Sequence, residues 1–202
     1  MDFPELENKE RLTRTGNSFE VSVCKSAFCR RSLYPFSDFL ERVTKIFEEK
    51  GYESDKPLLS HAKFKVAASG CPNACSQVHI KDFGVIAFLQ PEIVGDCIYC
   101  GKCEDVCREN GVEVDEVVTF NENCIGCGDC MLACPQKAIG GDIKFRILVG
   151  GKLGRKPRLA EELAVVDSID DVYRILERAI EVSKERGRRL SMIIDDVRQE
   201  LI

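Results

Sequence analysis

Twelve cysteines sort by spacing into three sets of four. Two sets are contiguous runs: Cys97, Cys100, Cys103 and Cys107, then Cys124, Cys127, Cys130 and Cys134 with Pro135 behind it. The third set is split, Cys24 with Cys29 and Cys71 with Cys75. Thiolates this closely spaced suit iron–sulfur clusters, and such clusters move electrons singly. A disulfide framework belongs mostly to small secreted chains, and 202 residues are enough to bury an ordinary core. Structural zinc takes isolated Cys pairs, not triple runs. The sequence therefore describes a redox protein, and what its electrons reduce becomes the question.

Within each run, three thiolates on a tight loop can hold three corners of a [4Fe–4S] cubane, while the fourth serves the other cluster. One cluster would use Cys97, Cys100, Cys103 and Cys134, the other Cys124, Cys127, Cys130 and Cys107. Glycines at 101, 126 and 128 keep the loop amides close to the sulfurs. The stretch Cys-Ile-Tyr-Cys-Gly-Lys-Cys at 97–103 repeats as Cys-Ile-Gly-Cys-Gly-Asp-Cys at 124–130. This segment resembles the bacterial-type two-cluster ferredoxins, which implies an electron relay. Arg108 follows Cys107 where the second run has its proline; that proline shapes a turn and ligates nothing.

The split set says more about function. Lys63-Phe64-Lys65 leads into Ser69-Gly70-Cys71-Pro72-Asn73-Ala74-Cys75, and Gly150-Gly151-Lys152-Leu153-Gly154-Arg155 follows the ferredoxin-like segment. These stretches resemble the sirohaem-dependent sulfite and nitrite reductases, nearest to dissimilatory or anaerobic members with an internal ferredoxin. The resemblance implies that Cys24, Cys29, Cys71 and Cys75 hold a third [4Fe–4S] cluster and that Cys75 bridges to sirohaem. It implies that Lys63 and Lys65 hold a substrate anion, sulfite or nitrite. Arg30, Arg31, Lys152, Arg155, Lys156 and Arg158 become candidates for the sirohaem carboxylates. The first pair is Cys-x4-Cys, one residue short of the family's x5. The family also carries a ferredoxin-like half-domain before this pair. Only 23 residues precede Cys24, so that half is expected to be missing. A homodimer or a complex with another subunit would then complete the pocket. The competing expectation is an iron–sulfur electron-transfer protein or subunit without sirohaem.

Charge narrows the partners. Between Asp96 and Ile139 nine acids face three bases, a net of −6, while the rest of the chain carries 26 bases and 25 acids, a net of +1. No long basic stripe favours nucleic acid, and the acidic segment could steer a basic electron-donor protein or reductase. The first ten residues lack the basic and apolar regions of a signal peptide. The longest clean apolar run, Val85 to Leu89, is far below the roughly 20 residues of a membrane span. The expected location is the cytoplasm. His61 and His79 are the only histidines and read as structural or surface residues.

The elements that must position these cysteines are of both kinds. Phe19 to Val23, Lys63 to Ala68, Gly84 to Leu89 and Ile143 to Val149 have strand character. Pro35 to Lys50 carries apolar residues at helical spacing with Gly51 as its stop. Ser168 is placed to cap a helix with Val172, Ile175, Leu176, Ala179 and Ile180 on one face, and residues 189–201 read as a last helix. The expected fold is α+β with a mixed sheet: a reductase-like host of residues 1–95 and 141–202, and an inserted two-cluster ferredoxin module at 96–140. The insert would fall between two strands of one sheet.

Overall fold

The computed structural model describes residues 12–202; the stretch Met1 to Glu10, read above for a signal peptide, lies outside them. The strands are β1 (Thr13–Thr15), β2 (Phe19–Val23), β3 (Phe64–Ser69), β4 (Phe83–Ile93), β5 (Val112–Val114), β6 (Val118–Phe120), β7 (Ile139–Val149) and β8 (Glu161–Val166). Six of them form one mixed sheet in the order β1-β2-β3-β4-β7-β8, and β5 pairs with β6 in a separate hairpin. Strands β2, β3 and β4 run parallel, while β4–β7 and β7–β8 are antiparallel.

The two-residue period of a strand sorts side chains onto two faces. Phe19, Val21 and Val23 of β2, Phe64, Val66 and Ala68 of β3, Phe83, Val85 and Ala87 of β4, and Phe145, Ile147 and Val149 of β7 all enter one core. Helices α1 (Phe39–Glu49) and α4 (Ile169–Glu185) cover that face, with Phe39, Val43, Ile46 and Phe47 from the first and Val172, Leu176, Ala179 and Ile180 from the second. Phe19 stacks on Phe47 with ring centroids 4.3 Å apart. The opposite face is divided. Ala67, Val78, Ile86, Leu148 and Ala160 make a small second core, whereas Glu20, Ser22 and Lys65 make its β2–β3 part polar.

Ser168 caps α4 as its position foretold: its Oγ accepts from the Asp171 amide at 3.1 Å. Helix α1 begins later than its apolar spacing suggests because Phe36 has φ 46°, outside any right-handed helix. The expected last helix is broken into a 3-10 turn at Leu190–Met192, a short α5 (Ile194–Val197) and a second 3-10 turn at Arg198–Leu201. Ile193 at φ −127° and Val197 at φ −117° leave helical backbone at the two joints. Residues 94–138 lie between β4 and β7, which pair in eleven register steps from Phe83 with Val149 to Ile93 with Ile139. That segment holds the β5–β6 hairpin and two short helices, α2 (Lys102–Asp105) and α3 (Asp129–Ala133). It has its own small core around Cys103, Val112, Cys130 and Ile139. Among the described residues no helix is long and apolar enough to cross a membrane.

Candidate metal centres

The carboxyl ends of neighbouring parallel strands are where open sheets place ligands, and the split quartet sits there. Cys24 follows the last residue of β2, and Cys71 lies two residues beyond β3. A 3-10 turn at Ser26–Phe28 brings Cys29 back toward them. Gly70 allows the loop after β2 to close over the end of β3. Any Cβ there would collide with Ser32, Ser26 and the Tyr34 carbonyl, and the Gly70 carbonyl accepts from Leu33 N at 2.7 Å. All four thiols, Cys24, Cys29, Cys71 and Cys75, line one open cavity of about 580 Å³. Cys71 is buried, while Cys29 and Cys75 are exposed at the rim. Burial pushes the Cys71 thiol up, and the neighbouring Cys24, Cys75 and Cys29 push the same way against a hydrogen bond from the Asn73 backbone. The Gly70 amide donates to Cys24 Sγ at 3.2 Å.

Two further cavities each gather one quartet, and in both the fourth cysteine comes from the other run. Cys124, Cys127, Cys130 and Cys107 line a cavity of about 310 Å³. Cys97, Cys100, Cys103 and Cys134 line a tight one of about 20 Å³. The repeat carries into the backbone. Gly111 N donates to Cys107 Sγ at 3.1 Å, and 27 residues later Ala138 N donates to Cys134 Sγ at 3.3 Å. Burial drives the Cys130 thiol up to about 11, helped by Cys124 and Cys127. At Cys134 burial also acts upward, but the backbone amides of Ala138, Gln136, Ile139 and Lys137 together bring that thiol below its ordinary value. A single zinc ion needs four ligands within about 2.3 Å of one point. Among the described residues no group of three or more His, Cys, Asp or Glu is gathered so as to hold one ion. A cubane takes its ligands at separate corners, and four thiols around one cavity are a donor set of the type that could hold one.

The inner of the two ferredoxin-like quartets adjoins the split quartet. Asn73, from the loop between Cys71 and Cys75, lines both cavities. Arg31 reaches from the Cys29 side to Asp129, with Nη1 to Oδ1 at 2.5 Å. The hydrogen bond and charge of Asp129 hold the Arg31 guanidinium above its ordinary value. The Leu89 amide of β4 donates to the Gly126 carbonyl at 2.9 Å, so the second cysteine loop lies directly on the sheet.

The expected cations are arranged differently. Lys63 Nζ donates to the Gly16 carbonyl at 2.7 Å, and Lys65 Nζ donates to Ser60 Oγ at 3.1 Å and stands 3.8 Å from Glu20. Neither lines the split-quartet cavity. Lys81 does; its Nζ sits 3.0 Å from Glu20 Oε1 and its side chain is 11% exposed. Burial pushes the Glu20 carboxyl up, but the Lys81 hydrogen bond and the charges of Lys81, Lys65 and Lys63 outweigh it, so the carboxyl lies below its usual 4.5. Arg158 is engaged with Asp195 at 2.8 Å, the Gly150 carbonyl at 3.0 Å and the Ser191 carbonyl at 2.8 Å. Arg30 and Arg31 line an open hollow together with Arg108, and none of the split set's four thiols lines it. Arg155 and Lys156 are exposed and Lys152 half-buried, in a loop closed by the Lys152–Arg158 bridge. His61 and His79 are both exposed. Sequence reasoning missed Lys81, Glu20 and Asn73 as lining residues. Asn73 carried a signal, since it stands inside the quoted cysteine motif; Lys81 carried none.

A mixed sheet whose parallel strands end at a cysteine quartet, with two interlocked quartets beside it, is the framework of an iron–sulfur protein. The family described as "Nitrite and sulphite reductase 4Fe-4S domain" matches residues 20–195, and the chain belongs to it. It is 28% identical over 164 residues to a coenzyme F420-dependent sulfite reductase of Methanocaldococcus jannaschii, covering 77% of this chain and 26% of that protein. An uncharacterized protein of the same organism is 31% identical over 127 residues, covering 62% of this chain and 45% of the relative. The chain thus spans less than half the length of either relative. The crystal structure of dissimilatory sulfite reductase I superposes with a TM-score of 0.64 at 19% identity, covering 94% of this chain and 52% of that one. The shared fold is the α+β architecture with a mixed sheet, and the chain is a sulfite reductase-like iron–sulfur protein.

Proposed function

We propose that the chain relays electrons through three [4Fe–4S] clusters toward a sulfite- or nitrite-reducing centre. Residues 96–140 would act as a built-in two-cluster ferredoxin and residues 1–95 with 141–202 as the reductase-like host. The order of transfer would be the Cys97/Cys100/Cys103/Cys134 site, then the Cys124/Cys127/Cys130/Cys107 site, then the Cys24/Cys29/Cys71/Cys75 site. The observation that carries this reading is the partition of the cysteines. Each of three cavities is lined by one complete quartet, and Asn73 is common to the inner two.

The donor set suits such clusters, which when bound supply one-electron steps over a potential range set by their surroundings. The chain's own groups then do three things. Amides of Gly70, Gly111 and Ala138 aim at thiolates of Cys24, Cys107 and Cys134 and offset charge on sulfur. Arg31 and Asp129 hold the inner loop against the Cys29 segment. Lys81 keeps a cation at the split-quartet cavity, with Glu20 fixing its direction.

Sirohaem fits less well. Cys75 is exposed on an open cavity, as a bridging ligand must be. Yet Lys63, Lys65, Arg31 and Arg158 are committed to other partners, and among the described residues Lys25 and Lys81 are the cations lining that cavity, few for a polycarboxylate. That arrangement favours two readings: a second copy or subunit completes the pocket, or the chain is a sirohaem-free carrier. Anaerobic purification followed by iron and pigment analysis separates them. Three clusters carry about 12 irons. Cys107→Ser should disturb the cluster of the other run, and Cys24→Ser should remove about four irons and leave the rest. About eight irons in the parent protein would refute a third cluster. About 12 irons with no pigment after reconstitution with sirohaem would refute a pocket completed by a second copy of the chain.

A further inference from the structure

The repeat is symmetric in sequence but not in its surroundings. Left-handed backbone recurs at three matched pairs, Tyr99 and Gly126, Gly101 and Gly128, Asn110 and Lys137. At Gly126 a Cβ would lie under 3.0 Å from the Leu89 carbonyl and from the Phe88 ring. Glycine is therefore required where the second loop rests on β4. Its counterpart in the first loop is Tyr99, at φ 53°. An L residue holds that conformation only at a cost, and such costs collect where function repays them. Tyr99 is 53% exposed and Ile98 is 57% exposed. Both line the cavity of Cys97, Cys100, Cys103 and Cys134, the site farthest along the proposed relay from the split quartet.

The ground around this tip is acidic. Arg31 engages Asp129, and the other eight acids of residues 94–138 are all exposed. Asp96 is next to Cys97, Glu104 is next to Cys103, and Glu113 and Asp115 flank Val114, which lines the cavity. The cations of the whole segment are Lys102, Arg108 and Lys137.

We propose that the Ile98–Tyr99 tip, with Asp96, Glu104, Glu113, Asp115 and Glu116 exposed on the same segment and, among the described residues, Lys102 the one cation lining its cavity, is the docking surface for a protein electron donor with a basic rim around its redox centre. The apolar pair supplies the desolvated centre of the contact and the acids of the segment steer the approach. The step is a one-electron transfer. The donor's centre loses one electron, the cluster of the outer quartet gains it, and no bond forms or breaks. This inference rests on reading the outer quartet as a cluster site.

The test uses the anaerobically purified protein, with a basic c-type cytochrome as probe. Affinity is read from a binding isotherm, and transfer from the reduced protein is followed by stopped flow. Affinity should fall about 10-fold or more between about 50 and about 300 mM salt. The variant Asp96→Lys with Asp115→Lys and Glu116→Lys should weaken binding by about 10-fold at low salt. Tyr99→Gly relieves the backbone while deleting the ring and should also weaken binding by about 10-fold. Transfer to a small neutral quinone, which needs no docking, should be unchanged in the charge-reversed variant. Cytochrome binding equal to the parent's in the charge-reversed and Tyr99 variants would overturn the proposal. So would an equal loss of transfer to the quinone, since the tip would then act on the cluster site itself. An iron count left unchanged by Cys100→Ser would overturn the cluster reading beneath it, and the docking surface with it.

Discussion

Asp82→Asn should destabilise the protein severely, because Asp82 joins the strands that carry the split quartet to the C-terminal segment. Its carboxylate is fully buried, at 0% exposure, and takes four hydrogen bonds. Arg189 Nε and Nη2 donate at 2.9 and 2.7 Å, Ser191 N at 2.8 Å and Lys65 N at 2.9 Å. Asparagine keeps the shape but removes the charge, and the Arg189 side chain, 11% exposed, is left without its counter-charge. Breaking a buried pair from one side costs about 3–5 kcal/mol. At about 2–4 °C per kcal/mol for a chain of this size, the apparent Tm should fall by about 6–20 °C. The assay is a thermal scan by circular dichroism of anaerobic protein at one fixed rate. Arg186→Gln, which opens the exposed pair with Glu200, should cost under about 1 kcal/mol. The double change Asp82→Leu with Arg189→Met should recover part of the loss, since no charge is then stranded. An Asp82→Asn scan within about 2 °C of the parent would refute the clamp.

Gly126→Ala and Gly101→Ala make a matched pair, at φ +71° and φ +74°. Both meet the left-handed penalty of about 1–2 kcal/mol, but nothing lies within 4 Å of a Cβ at 101, whereas 126 faces the Leu89 backbone. Gly126→Ala should therefore cost at least about 2 kcal/mol more and speed cluster loss on mild heating, followed by visible absorbance; equal losses would show that the second loop does not bear on β4. Glu20 supplies a pH signature. Its folded pKa lies below the usual 4.5, so its contribution is fully present above that value and is lost as pH falls through the folded pKa. The Tm difference between parent and Glu20→Gln should thus hold from about pH 7 to about 4.5 and shrink as pH falls further, and Lys81→Met should flatten it; a difference independent of pH through that lower range would contradict the Glu20–Lys81 geometry.

The cysteine spacing sorts the thiols into the same three sets that line the three cavities, with Cys107 and Cys134 exchanged between runs, because ligand loops are local and their spacing survives in sequence. The host strands were legible for the same reason, since one buried face enforces a period of two. Strand β8 was not, because its Glu-Glu-Leu-Ala-Val-Val stretch lies at the sheet edge with much of it exposed. The 3-10 turns of the C-terminus were hidden as well. Ser191 N turns to Asp82, a partner 109 residues away, and a helical apolar pattern says nothing about such a bond. At Lys63 and Lys65 the motif supplies the residue types but not their partners, which are Gly16, Ser60 and Glu20. Lys81 stands at the cavity instead, delivered by the 3-10 turn Val78–Ile80 that the sequence does not announce.

The unbroken register of β4 against β7 has a further consequence. Because Ile93 and Ile139 face each other across the ladder, residues 94–138 are topologically the turn of a hairpin, however much they contain. Lengthening a loop whose ends are already joined adds little closure entropy, about 0.6 kcal/mol per doubling. The sheet can therefore complete itself whatever state its oversized turn is in. Ordering of the turn need not precede folding of the host, and a different insert could be spliced at the same two residues.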